Sequence, residues 1–219
     1  MINKIFGFGC SWIHGDEIEH PTAEPSSKEY WQYREQNCTL GQLATCLGIE
    51  YDSSTMNNRG ISGGSLQSTI WEFTRFSDRF TDDSLVVVGL TESSRQSWYN
   101  LDNRSPYMHS HWTHDDHPWN DFVKFYTVHS DCEQLWRMNY MVAVNYFSNY
   151  CDVNQIPLLM FNVFPPPVQL AQVPDWNARG FVHDMHNKHG DCLALNKHAN
   201  EKGSKLLAEK LYSLIKNDV

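Results

Sequence analysis

Leu85-Val86-Val87-Val88-Gly89-Leu90 narrows the choice of fold more than any other stretch of this chain. Three consecutive valines favour strand over helix, because branching at Cβ crowds the helical turn. A continuous apolar run of this kind belongs to a strand buried on both faces, and such strands occur mostly in parallel sheets covered by helices. A second such run, residues 157–163, stops at Pro165-Pro166-Pro167, and a third, residues 3–8, ends at Gly9-Cys10-Ser11-Trp12. Helical spacing fills the intervals. Leu40, Leu43, Ala44 and Leu47 precede Gly48 as a stop; Leu66, Ile70, Phe73 and Phe76 follow Ser62 or Ser65 as a cap. An aromatic-rich helix is expected over 132–150. A last helix over about 200–216 carries Leu206, Leu207, Leu211, Leu214 and Ile215.

Strands alternating with helices imply right-handed crossovers. The expectation is α/β: a three-layer flavodoxin-like sandwich with a mostly parallel sheet of four or five strands. The second strand is expected near 50–53, entering a turn at Asn57-Asn58. Residues 13–36 read as a long loop with one short helix, and about 91–120 and 165–197 as further long loops.

At 219 residues the chain fits one domain, 1–219. Seventeen Lys+Arg against 26 Asp+Glu give a net charge of −9, and no cationic cluster stands out, so no nucleic-acid partner is expected. No apolar run approaches the roughly 18 residues of a membrane span, so no membrane partner is expected either. The first residues make a poor signal peptide. The six cysteines are widely spaced with no CxxC, which suggests free thiols in a reducing, cytoplasmic compartment.

Ser11 follows the first strand at the sheet edge where open α/β folds bind ligands. A nucleophilic serine needs a base, and an oxyanion needs preorganised donors. His198, ahead of the last helix, is the candidate base. The backbone N–H groups of Ser11 and Gly63 are candidate donors, since glycine lets a backbone approach a ligand closely.

These residues carry a family resemblance. Gly9-Cys10-Ser11-Trp12 resembles the Gly-Asp-Ser-Leu block of the SGNH (GDSL-type) hydrolases. Asn58-Arg59-Gly60-Ile61-Ser62-Gly63 resembles their second block, and His198-Ala199-Asn200-Glu201-Lys202-Gly203 their closing His-Pro-Asn-x-x-Gly segment. Order and spacing agree across nearly the whole chain. The resemblance implies the flavodoxin-like fold and ester or acyl hydrolysis with no metal or other cofactor, Ser11 attacking, His198 acting as base and Gly63 donating to the oxyanion.

The chain departs from the pattern in three places. Cys10 replaces the aspartate of the first block. Gly89-Leu90-Thr91-Glu92-Ser93 lacks the third-block asparagine, leaving the hydroxyl of Thr91 or Ser93 as a third donor. The acid normally stands two or three residues before the histidine, where this chain has Asn196 and Leu195. Asn196 is then the candidate to orient His198, with Asp191 or Asp184 supplying charge if the loop folds back. Trp12, Trp98 and Tyr99 are candidates to line a substrate pocket, with Tyr107, Trp112 and Trp119 nearby. The expected substrate is a small-molecule or carbohydrate ester, such as an O-acetylated sugar.

Each feature has a plainer reading. Ser11 is also placed to cap a helix, His198 to sit at a helix start, Gly63 to serve a tight turn, and the loop aromatics to pack the loop down. Asp16 and Glu17 are expected in a first helical turn or in solvent. Cys10 is a rival nucleophile, but neighbours on an extended backbone point apart, and Cys10 is expected to be buried. Two histidine-rich runs, His109 to His117 and His183 to Asp191, hold suitable metal ligands in no recognised ligand motif. The alternatives to a serine esterase are therefore a weak or inactive ligand-binding module on the same fold, and a metal-dependent hydrolase built on the histidine runs.

Overall fold

The structure is a computed structural model that describes residues 2–52, 54–100, 105–109, 133–195 and 197–217; of 96–100, 105–109 and 217 only the backbone is described. Its centre is a parallel sheet of four strands: β1 (Lys4–Gly9), β2 (Met56–Gly60), β3 (Ser84–Leu90) and β6 (Leu158–Asn162), in spatial order β2-β1-β3-β6. Between β3 and β6 in sequence, β4 (Gln96–Asn100) and β5 (Ser105–His109) pair as a separate antiparallel hairpin. The valine run lies at the sheet's interior, and all seven residues of β3 are buried.

Side chains alternate across the sheet. Phe6, Phe8, Val86, Val88 and Met160 pack under α4 (Leu66–Phe76) and α5 (Glu133–Asn154). Ile5, Leu85, Val87, Leu159 and Phe161 pack on the opposite face, with α3 (Thr39–Cys46), α6 (Ala178–His189) and α7 (Glu201–Asn217). Two apolar cores on opposite faces of one sheet make the three-layer sandwich that the continuous apolar strands require. Of the two candidate caps for α4, Ser65 serves: its hydroxyl accepts from the Ser68 N–H and the Ser68 hydroxyl accepts from the Ser65 N–H. Such a reciprocal cap contributes on the order of 1 kcal/mol.

Several boundaries differ from the sequence expectation. The second strand is Met56–Gly60 rather than 50–53, so Asn57-Asn58 lies within a strand and not in a turn. As the sheet edge β2 is mostly half-buried, and Asn58 is satisfied locally, accepting from the Gly60 N–H and donating to the Ile13 carbonyl. The stretch 13–36 contains the end of α1 (Ser11–His14) and most of α2 (Lys28–Asn37). No residue of α2 is buried, so it has no apolar stripe to announce it. The expected loop over 165–197 contains α6, and part of the expected loop over 91–120 is the β4–β5 hairpin. The described cysteines, Cys10, Cys38, Cys46, Cys151 and Cys192, are unbridged. No described helix is long and apolar enough to cross a membrane.

Candidate active site

Ser11 owes its position to Gly9. A Cβ on Gly9 would stand 2.6 Å from the Gly89 carbonyl oxygen, and its φ is +147°, so a side chain there meets both collision and strain. The chain leaves β1 through an extended Cys10 and turns at once into α1, with Ser11 as its first residue. Cys10 is fully buried among the residues of the α3 face, as expected for a thiol that is not the nucleophile. Trp12 is only 5 % exposed and belongs to the same core. Its ring centroid lies 6.1 Å from that of His198.

His198 is held by the segment that resembles the family's closing block. Asn200 caps α7, its side-chain oxygen accepting from the Gly203 N–H at 3.0 Å. The same side chain donates to the carbonyl and carboxylate of Asp191. A Cβ on Gly203 would stand 2.2 Å from the Cys192 carbonyl oxygen, so glycine lets α7 seat against the incoming loop. The His198 carbonyl accepts from the Ala194 N–H at 2.9 Å, closing a turn that presents the imidazole. Across 187 residues of sequence, His198 Nε2 comes to 2.9 Å from Ser11 Oγ.

The group facing the other imidazole nitrogen is one that sequence reasoning missed. Glu17 Oε2 stands 3.5 Å from His198 Nδ1, and both side chains are largely buried. Nδ1 makes no hydrogen bond among the described residues, so the contact is an ion-pair approach rather than a formed hydrogen bond. Gly15 (φ +80°) and Glu17 (φ +68°) are both left-handed, and together they turn the chain after α1 back toward Ser11. A glutamate in that region costs about 1 kcal/mol or more, and residues so strained cluster at functional sites. Glycine four residues after Ser11, followed by two carboxylates, was the available signal. The carboxylates expected near His198 lie elsewhere: Asp184 is exposed on α6, and Asp191 is exposed and engaged with Asn200. Asp191 and Glu17 both border a cleft of about 400 Å³. Asn196 lies outside the described residues.

Asp16 faces the opposite way. Its carboxylate hydrogen-bonds His14, accepts from the Ser62 hydroxyl and lies 3.7 Å from Arg34 Nη2. Burial pushes its pKa up, but the hydrogen bonds from His14 and Ser62 and the charges of His14 and Arg34 outweigh burial and hold it below the usual aspartate value. Consecutive carboxylates thus reach the two halves of the site, Asp16 the Gly60–Ser65 loop and Glu17 the imidazole.

That loop carries Gly63, left-handed at φ +68° with open space where a Cβ would go. Among the described backbone bonds, neither the Gly63 nor the Ser11 N–H has an acceptor. Gly60 seats the loop: a Cβ there would stand 2.4 Å from the backbone nitrogen of His14 in α1. The strand register aligns Phe8 with Val88, so Ser11 and Thr91 both follow the C-terminal ends of neighbouring parallel strands. Thr91 is 3 % exposed, and its hydroxyl has no partner among the described residues. Ser93 is buried beside it. Trp98 and Tyr99 lie on β4 and Tyr107 on β5, their side chains outside the described residues, as are Trp112 and Trp119 altogether.

Of the histidine-rich runs, His183, Asp184, His186 and His189 share α6, and His186 accepts from the Cys192 N–H. His109 ends β5, and His111 to His117 lie outside the described residues. Among the described residues no group of three or more His, Cys, Asp or Glu is gathered as a metal would need.

No protein-family model and no curated protein matches the chain at a significant level. Solved structures do. One is a carbohydrate esterase whose active site displays divergent catalytic and non-catalytic binding functions: TM-score 0.50, 12 % identity, covering 99 % of this chain and 66 % of that one. Another is a family two carbohydrate esterase from Clostridium thermocellum in complex with cellohexaose: TM-score 0.49, 16 % identity, covering 99 % and 64 %. A third is a member of the lipolytic protein G-D-S-L family from Veillonella parvula DSM 2008: TM-score 0.42, 14 % identity, covering 97 % and 98 %. The chain thus spans just under two thirds of the length of the two esterases. The first likeness shows the fold alone, a three-layer arrangement of a sheet between helices.

Proposed function

We propose that the chain is a serine hydrolase of carboxylic esters. The observation that carries this reading is the 2.9 Å approach of His198 Nε2 to Ser11 Oγ, at the sheet edge where such folds bind ligands. With its proton on Nδ1, toward Glu17, a neutral His198 offers the Nε2 lone pair to the Ser11 hydroxyl. Ser11 Oγ adds to the ester carbonyl carbon as His198 takes the hydroxyl proton. The negative oxygen that results is held by the N–H groups of Ser11 and Gly63 and by the Thr91 hydroxyl, with Ser93 the alternative third donor. The imidazolium is stabilised and kept in orientation by Glu17, in the role a carboxylate plays in a serine triad. His198 then protonates the leaving alkoxide. Water, deprotonated by the same imidazole, attacks the acyl-enzyme to release the acid and restore Ser11.

None of these steps calls on a metal or cofactor. Carbohydrate acetates are the first substrate class to test, because the fold is shared with a carbohydrate esterase.

A fluorophosphonate probe should label the intact protein at Ser11, and Ser11→Ala should abolish the label. Hydrolysis of 4-nitrophenyl acetate and of acetylated sugars should fall to background in Ser11→Ala and His198→Ala. Esterase activity that survives both substitutions overturns the reading. Binding of acetylated sugars with neither labelling nor turnover would favour the ligand-binding module, whose supporting observation is that His198 Nδ1 lacks a formed hydrogen bond among the described residues.

A further inference from the structure

We propose that the cavity beside the edge strand β2 is a second ligand site, separate from Ser11, that takes a small oxyanion, a carboxylate or a phosphate, carried on a ring. The proposal goes beyond the ester-hydrolase reading and does not depend on it.

The cavity measures about 290 Å³, at the small end of the range for ligand sites. Arg59 from β2 and Trp31 from α2 both line it. Gly60 and Ile61, which lead into the loop of Gly63, form part of its wall, whereas neither Ser11 nor His198 borders it.

Arg59 is a cation without an acceptor. Its side chain is half-buried and makes no hydrogen bond or ion pair among the described residues. Nε is enclosed, while the Nη groups are not. The guanidinium carbon lies 3.8 Å from the centre of the Phe76 ring, and such a ring attracts a cation but offers its N–H groups no lone pair. Burial pushes the Arg59 pKa down, which disfavours the charge. An arriving oxyanion offsets that penalty, and a carboxylate or phosphate accepts from two guanidinium N–H groups at once.

The charges around Arg59 favour an anion. Glu72 and Glu35 act on it, as do the cations Arg79 and Arg75. Both carboxylates already have a donor: Arg75 Nη1 donates to Glu72 Oε1 at 2.7 Å, and the Tyr51 hydroxyl donates to Glu35. The Arg79 guanidinium lies 4.6 Å from the centre of the same Phe76 ring. In a chain of net charge −9, three arginines thus stand against two engaged acids. Arg34, the other cation lining the cavity, is taken up by His14 and Asp16.

Trp31 supplies an apolar partner for the ring. It is 44 % exposed, on a helix none of whose residues is buried, so the core makes little use of its indole. The Arg34 guanidinium lies 4.5 Å from the centre of that ring and steadies it. An exposed indole in one cavity with an unpaired guanidinium suits a ligand that is apolar at one end and anionic at the other.

Calorimetry at low ionic strength tests the site with four probes: phenylphosphonate, benzoate, inorganic phosphate and neutral benzyl alcohol. Phenylphosphonate or benzoate should bind with a Kd of about 1 mM or tighter, inorganic phosphate more weakly, and benzyl alcohol more weakly still. Whichever of the two ring-bearing anions binds tighter identifies the oxyanion as phosphate or carboxylate. Arg59→Met should weaken that binding at least tenfold, and Arg59→Lys should retain part of it, as it keeps the charge but not the planar fork. Trp31→Ala should weaken the ring-bearing anions and leave inorganic phosphate unchanged. Glu72→Gln, which removes a carboxylate beside Arg59, should tighten binding and supplies a readout if Arg59→Met does not fold. Arg79→Met, at an exposed position, should have a smaller effect than Arg59→Met. The proposal is overturned if no oxyanion binds below about 10 mM, if binding is the same in Arg59→Met, if Trp31→Ala leaves the ring-bearing anions unaffected, or if Arg79→Met costs as much as Arg59→Met. Because each readout is binding and none is turnover, loss of the hydrolase reading would leave these outcomes unchanged.

Discussion

Glu17 Oε2 stands 3.5 Å from Nδ1 of His198, while Nε2 of the same ring stands 2.9 Å from Ser11 Oγ. Serine, imidazole and carboxylate thus lie in line, and the carboxylate comes from the turn just after the serine instead of from the loop that carries the histidine.

Substitution of Glu17 should separate orientation from folding. Glu17→Gln keeps the side-chain volume and removes the charge that faces the imidazolium. We expect kcat to fall by about 10²- to 10⁴-fold, the upper end being the loss seen when a well-formed triad loses its carboxylate. A folded Glu17→Gln variant with unchanged kcat would sever this link.

Asp16 should matter to the loop that carries Gly63. Asp16→Asn or Ser62→Ala should lower kcat by about 10- to 100-fold through misplacement of the oxyanion donors, with Ser11 labelling by a fluorophosphonate slowed in parallel. The folded-state pKa of Asp16 is depressed from 3.8. Its ionised form therefore stabilises the fold at pH values above the unfolded-state value, and that stabilisation is lost as pH falls through the depressed folded-state value. The difference in Tm between the unsubstituted protein and Asp16→Asn should be full at pH 7 and shrink below about pH 4. A difference that stays constant down to pH 2 would contradict the network described for this carboxylate.

Thr91→Val tests the third oxyanion donor. The Thr91 hydroxyl is buried without a partner among the described residues, so its removal should leave Tm unchanged or raise it. If it donates only in the transition state, kcat should drop by up to about 10²–10³-fold with little change in KM. Full activity would pass the role to Ser93 or leave the site with two backbone donors.

Gly60→Ala should be destructive out of proportion to one methyl group. The added Cβ would stand 2.4 Å from the His14 backbone nitrogen, and backbone cannot swing aside as a side-chain tip can. We expect a loss of about 1–3 kcal/mol in urea unfolding, together with loss of Ser11 labelling, because α1 would be displaced from His198. A substitution at Gly48, where a Cβ would meet nothing, serves as the control for left-handed strain alone.

The sequence by itself determined the framework. Continuous apolar runs at β3 and β6, and Ile5 to Phe8 in β1, call for a covered parallel sheet, and in such a sheet Ser11, Gly63 and Thr91 follow the C-terminal ends of their strands at one edge. Elements without a large apolar stripe were not legible. The polar edge strand β2 and the helix α2, none of whose residues is fully buried, owe their form to neighbours and caps rather than to periodicity. The tertiary structure alone decided what stands behind the imidazole. Hydrophobic patterning specifies which faces are buried, but the approach of Glu17 to His198 depends on two left-handed residues after α1 and on a distant turn held by Asn200 and Gly203. Neither leaves a periodic trace.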